Sequence, residues 1–129
     1  MGPSASGPPR TRAELGARAE AAVADYLSAR GLEVLGTNVR VGRLEIDLLA
    51  RDGVVIVVVE VRTRGPGSWV RALDSIDWRK RGRIRRAGER LWRDRFSRQR
   101  GVERMRFDCA SVTFERTGAV LVEHIPAAF

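Results

Sequence analysis

The sequence predicts an α/β sandwich: one central mixed β-sheet of about five strands flanked by helices, in the order α-β-β-β-α-β-β. Three observations carry this reading. Apolar residues recur at helical spacing over residues 12–30 and again over 72–96. Two strongly β-prone runs, LEIDLLAR and VVIVVVEVR, flank the turn signal Asp52-Gly53. Two further β-rich runs, Met105–Phe114 and Ala119–Ile125, surround a turn at Thr117-Gly118.

The first ten residues, MGPSASGPPR, have the Gly, Pro and Ser content of a flexible tail, ahead of a single domain over 11–129. Thr11 and Glu14 then form a T-x-x-E capping box, and Gly31 supplies a stop. Between them Leu15, Ala19, Ala22, Val23, Tyr26 and Leu27 form an apolar stripe, with Glu20 at its border. A short extended piece, Leu32 to Leu35, follows.

A two-residue loop at Asp52-Gly53 sets Arg51 against Val54, Asp47 against Val58 and Glu45 against Glu60. Period-two alternation then places Glu45, Asp47, Val58, Glu60 and Arg62 on one face. Ile46, Leu48, Ala50, Val55, Val57, Val59 and Val61 line the other, wholly apolar face. Asp47 and Glu60 become diagonal neighbours. Both faces need cover, as in the middle of a sheet packed by helices.

Residues 63–71 read as a loop, and a long helix runs from about 72 to 96. Leu73, Ile76, Ile84, Ala87 and Leu91 form its apolar stripe, with Lys80 at the centre. From Trp78 to Arg106 there are 13 basic and 3 acidic residues, an imbalance that simple solvation does not call for.

Composition excludes several classes. At 129 residues and 43% apolar content the chain can bury a core and is not a disordered polyelectrolyte. A single cysteine, Cys109, rules out an intramolecular disulfide framework and fits a reducing cytoplasm. No apolar run approaches the roughly 20 residues of a membrane span. The net charge of +8 favours a polyanionic partner, nucleic acid ahead of a membrane surface. That charge is written almost wholly in arginine: 23 residues against one lysine, Lys80.

Carboxylates pointing inward from central strands are costly, and two close together repel. A hard divalent cation, Mg²⁺ or Mn²⁺, removes both costs, so Asp47 and Glu60 are candidate metal ligands, with Glu20 a third oxygen from the helix. Glu45 is better explained by a cross-strand charge ladder with Arg43, of the kind Glu60 would form with Arg62. Lys80 interrupts an apolar stripe where Leu would be more stable, so its ammonium is expected to reach the Asp47/Glu60 cluster. Arg79, Arg81, Arg83, Arg85, Arg86 and Arg90, with Arg64, are candidate phosphate contacts. Trp69, Trp78 and Trp92 are assigned to core or interface packing ahead of base stacking. His124 has no partner motif, Cys109 is expected to be buried and inert, and Asp108 is expected to pair with an arginine such as Arg40.

Asp47, followed after twelve residues by Glu60-Val61-Arg62, resembles the D-(x)n-E-x-K core of PD-(D/E)xK nucleases, the restriction-endonuclease-like fold. The closer resemblance is to the YraN-like family of uncharacterised bacterial proteins, over about residues 14–125. Gly16 to Glu20, the N-x-R at Asn38 to Arg40, LEIDLLA, VVEVRTR, DWRK and RFD all match its pattern in order. The resemblance implies a nuclease-like fold with a helix-borne acid like that of Holliday-junction resolvases. Carried over by position, Asp47 and Glu60 match the metal carboxylates, Glu20 the helix acid, and Val61 offers its carbonyl. Arg62 stands where the nuclease pattern has Lys; it can clamp a phosphate but cannot accept a proton.

These readings converge on a metal-dependent nuclease acting on nucleic acid, DNA ahead of RNA, with branched or damaged structures as candidate substrates, where cleavage of a junction would call for a homodimer. Two rival expectations stand beside it: a non-catalytic nucleic-acid-binding protein of the same fold, and a structural protein whose basic face meets an acidic partner.

Overall fold

The computed structural model describes residues 11–64 and 76–129. The expected tail over 1–10, most of the loop over 63–71, Trp69 and Leu73 lie outside the described residues. The elements follow the expected order: α1 (Arg12–Ala29), β1 (Glu33–Val41), β2 (Leu44–Asp52), β3 (Val55–Arg64), α2 (Trp78–Leu91), β4 (Arg104–Phe114) and β5 (Val120–Ile125). They build one five-stranded sheet in the order β1-β2-β3-β4-β5. All neighbouring pairs are antiparallel except β3 and β4, which run parallel and are joined through α2.

α1 starts where its cap predicts: the Thr11 hydroxyl accepts from the Glu14 N–H at 3.0 Å. Its Ala19, Val23 and Leu27 bury against one sheet face, lined by Leu48, Ala50, Val55, Val57, Val59, Ala110 and Val112. On the opposite face, Ile84, Ala87 and Leu91 of α2 pack on Leu49, Ile56, Val58, Phe107 and Cys109. The hairpin is therefore covered on both sides, as its apolar faces require.

Four expectations are corrected. β1 extends through Val41 rather than ending at Leu35, because it pairs with β2 from Glu33 to Val41, passing over Leu35 and Asn38. The β2–β3 register is displaced by two residues: Asp52 pairs with Val55, Arg51 with Ile56 and Leu49 with Val58. The turn is Gly53-Val54, with the positive φ of +60° confined to Gly53, as a primed turn with glycine at its first central position requires. A two-residue slip preserves faces, so Val58 and Leu49 still point toward α2. Ile46 does change sides and joins the α2 core. It does so where the β1–β2 ladder skips Asn38 and Asp47, with Asn38 in the left-handed region at φ +51°.

The fourth correction concerns the second helix. Asp77 caps it, its carboxylate accepting from the Lys80 N–H at 2.8 Å, so the helix begins at Trp78 and Ile76 precedes it. Its far end widens into a π-helical turn over Trp92–Phe96, closed by the Ser97 N–H donating to the Trp92 carbonyl at 2.8 Å.

Candidate functional site

The ladder between β2 and β3 stops at Leu48 and Val59. Beyond it the Asp47 carboxylate replaces the missing strand partner: Oδ2 accepts from the Val61 N–H at 2.9 Å. β3 itself stays in register with β4 through Arg64 and Thr113. The strand bearing Glu60 is thus held on one side by backbone and on the other by an acidic side chain. Val61 meets the site through its N–H, one atom group away from the carbonyl that the nuclease resemblance implicates.

Glu60 is 3% exposed, and Lys80 Nζ stands 3.1 Å from its Oε1. Arg62 Nη1 lies at a looser 3.8 Å from the same oxygen. Lys80, Ile84, Ala87 and Leu91 follow one another at helical spacing, so Lys80 heads the buried stripe of α2 and enters from its first turn. Burial, and next the negative charge of Asp47, push the Glu60 carboxyl up to about 7, with Lys80 pulling the other way. The expected link between Lys80 and the acidic pair is therefore present.

Glu20 is half-buried on α1, and its Oε1 accepts from Asn38 Nδ2 at 3.0 Å. Burial raises its pKa, the Asn38 hydrogen bond opposes this, and the charges of Asp47 and Glu45 raise it further. Asn38 is a positioning residue that the sequence pattern did not assign, although its N-x-R motif marked the segment. Asp47 and Glu60 form the inner pair, and Glu20 stands apart in the grip of Asn38. Among the described residues no group of three or more His, Cys, Asp or Glu side chains is gathered closely enough to hold a metal ion. Asp47 and Glu60 are the two carboxylates here that could offer oxygen to a hard cation, and the charge of Asp47 adds to burial in raising the Glu60 carboxyl.

The remaining charged residues sort by exposure. Arg79, Arg83, Arg86 and Arg90 recur along one solvent-facing side of α2, and Arg85 is also exposed, with its guanidinium 4.7 Å over the Phe107 ring. Arg81 and Arg64 are half-buried, Arg81 donating from Nε to the Ile76 carbonyl at 3.0 Å. Glu45 pairs with Arg40, its cross-strand neighbour, at 3.6 Å rather than with Arg43. Trp78, assigned to packing, is 76% exposed, because it begins the helix on its outer side.

A second polar cluster holds the end of the sheet. Asp108 is fully buried; Arg106 grips both its oxygens at 2.8 and 3.0 Å, and His124 Nε2 stands 2.7 Å from Oδ2. The Ala127 N–H donates to Oδ1 at 2.9 Å. Burial works against the charge, but the hydrogen bonds from His124, Arg106 and Ala127 outweigh it and hold the carboxyl below its ordinary value. Arg106 and His124 thus take the place expected for Arg40, which is occupied with Glu45. Cys109 is buried as expected; burial, then the charge of Glu60, push its thiol up to about 11.

The model of an uncharacterised protein family, UPF0102, matches residues 19–112, a span that contains Glu20, Asp47, Glu60 and Lys80. The chain belongs to the UPF0102 family. A UPF0102 protein of Sorangium cellulosum is 69% identical over 118 residues, covering 92% of this chain and 82% of the relative. One from Parafrankia is 39% identical over 93% of this chain and 99% of its own length. Another, from Dictyoglomus turgidum, is 33% identical over 90% of this chain and 97% of its own. UPF0102 is the uncharacterised family that the YraN-like motifs of the sequence indicated. Among the described residues no helix is long and apolar enough to cross a membrane.

Proposed function

We propose that this UPF0102 protein is a cytoplasmic nuclease that hydrolyses phosphodiester bonds in DNA with Mg²⁺ or Mn²⁺, at branched or damaged structures. The observation that carries the reading is the meeting of Asp47, Glu60 and Lys80 where β2 and β3 part. Asp47 and Glu60 would hold the cation, with the Val61 carbonyl as a further oxygen donor and Glu20 joining them on release from Asn38. When bound, the cation supplies a Lewis acid and an acidified water. Lys80 and Arg62 stabilise negative charge building up at the phosphate. The exposed arginines of α2 hold the backbone, with Arg64 and Arg81 nearer the sheet. Two copies would serve a junction in which two strands are cut.

The test is cleavage of branched, nicked and single-stranded DNA by the full chain in Mg²⁺ or Mn²⁺, against the same reactions in EDTA. Metal-dependent cleavage is expected, with Lys80→Ala and Asp47→Asn each lowering the rate about 100-fold or more. No cleavage of any substrate in either metal would overturn the reading. A second reading, a nucleic-acid-binding protein without catalysis, is favoured by the ion pair that already occupies Glu60 and by arginine at position 62. Binding that is unchanged by EDTA and unaccompanied by cleavage would decide for it.

A further inference from the structure

The cavity between the end of α2 and the start of β4 measures about 480 Å³, within the range of small-ligand sites, roughly 300–1,000 Å³. Its apolar lining is Trp92, Met105 and Phe107. Two carboxylates, Glu89 and Glu103, and two exposed arginines, Arg93 and Arg104, complete it. Two features of the backbone shape this place. Gly88 has no Cβ, and one added there would lie 2.6 Å from Phe107 Cε1 and Cζ, so the glycine lets helix and ring approach. The helix then widens into the π-helical turn that begins at Trp92, a distortion often found at functional sites.

We infer that this cavity binds a single unstacked nucleobase of a polynucleotide strand. The inference rests on the nucleic-acid reading above and adds a site to it. Phe107 is buried beneath the Arg85 guanidinium, so stacking falls to the half-buried Trp92, an aromatic face that suits any base. A carboxylate accepts from the exocyclic amino group of a base such as cytosine. Arginines at the rim meet the phosphates on either side. This combination suits a base better than a lipid or an apolar metabolite, for which two carboxylates would be a cost.

Position supports the assignment. The cavity opens on the α2 side of the sheet, as do Glu60 and Lys80. Met105 and Phe107 pair with Ile56 and Val58, four and two residues before Glu60 on β3. At about 3.3 Å per residue the separation is roughly 7–13 Å. Stacked nucleotides rise about 3.4 Å each, so the base held here would lie two to four positions from the acidic pair.

The experiment is fluorescence anisotropy of the full chain with a short single-stranded DNA and with a blunt duplex of the same sequence. Trp92→Ala should weaken single-strand binding about tenfold and leave duplex binding unchanged, while Trp92→Phe restores most of the loss. Glu103→Gln should reduce the preference for a cytosine-containing strand over a thymine-only strand. Wild-type binding to DNA with Trp92→Ala and Glu103→Gln both unaltered would overturn the base site and leave the nucleic-acid reading standing. Wild type binding neither DNA would overturn both. A loss equal on strand and duplex would assign Trp92 to the fold and overturn the base site.

Discussion

Lys80 Nζ stands 3.1 Å from Glu60 Oε1, tying the first turn of α2 to the strand at the centre of the sheet. This pairing explains why the one lysine of the chain sits at the head of an apolar stripe. A Leu there would bury more carbon but would deprive a carboxylate that is 3% exposed of its nearer cation. Its Asp77-capped backbone fixes where the side chain enters.

Glu60 gives the stability of the protein a distinctive pH dependence. Its carboxyl is pushed from 4.5 to about 7, so between those values the folded chain holds a proton that the unfolded chain has released. Stability contributed by this group is greatest at low pH and falls as pH rises through the window. Glu60→Gln lacks the effect. Its stability relative to wild type should climb across the window by on the order of 2–3 kcal/mol and then level off. Urea unfolding of both proteins from pH 4.5 to 8 measures it; a difference independent of pH would contradict the expectation.

Gly88→Ala sets two effects against each other. Alanine improves helix propensity by about 1 kcal/mol. The new methyl, however, would meet Phe107 at 2.6 Å and the Met105 sulfur at 3.2 Å. Phe107 has little room to yield, with Phe129 at 5.8 Å and the Arg85 guanidinium at 4.7 Å from its ring. Overpacking of this kind costs roughly 1–3 kcal/mol, so the variant should melt below wild type. A raised melting temperature would show that the ring moves freely.

Asp108→Asn removes a buried charge that Arg106, His124 and the Ala127 amide all address. A loss of about 3–5 kcal/mol is expected from breaking such a cluster at one member. Because the folded carboxyl lies below its ordinary 3.8, its contribution is complete above that value and disappears as pH falls through the lowered one. Hydrogen exchange at Ala127 and Ala128 reads the same event locally, since both amides are bonded in this corner. Protection unchanged in the variant would mean that the charge does not secure the segment.

The arginine stripe predicts salt dependence. Replacing Arg83 and Arg86 by Gln should weaken DNA binding and flatten the plot of log affinity against log salt by nearly two units, about 0.9 for each phosphate that is no longer neutralised. A slope identical to wild type would place these side chains outside the interface.

What could be read in the sequence was what depends on near neighbours. The Thr11 cap, the alternation of the Val-rich strand and the 80/84/87/91 stripe each follow from local spacing, and the structure keeps all three. Alternation also protected the placement of Glu60, since a register slip of two leaves faces unchanged. The slip itself was hidden, because Asp52-Gly53 and Gly53-Val54 are both acceptable central pairs and only the observed φ values separate them. Asn38 holding Glu20 and His124 meeting Asp108 were less accessible. Each joins residues whose meeting depends on how a helix or a second strand is set against the sheet. Ile46 changed sides because the alternation of β2 breaks at Asp47, where the ladder to β1 is interrupted, and strict period two does not anticipate that break.

The sheet order has a kinetic consequence. β1, β2 and β3 are neighbours in sequence and can zip together through short turns. The parallel pair must join residues 49 positions apart, as Val55 and Arg104 are. Closing so long a loop is the entropically expensive step, so the chain should fold as a three-stranded meander that waits for α2 to deliver β4. Disturbing the Gly53 turn then slows folding. Loosening the Asp108 corner, which forms after the crossing, chiefly hastens unfolding. The helix that carries the positive charge is also the one that times the assembly.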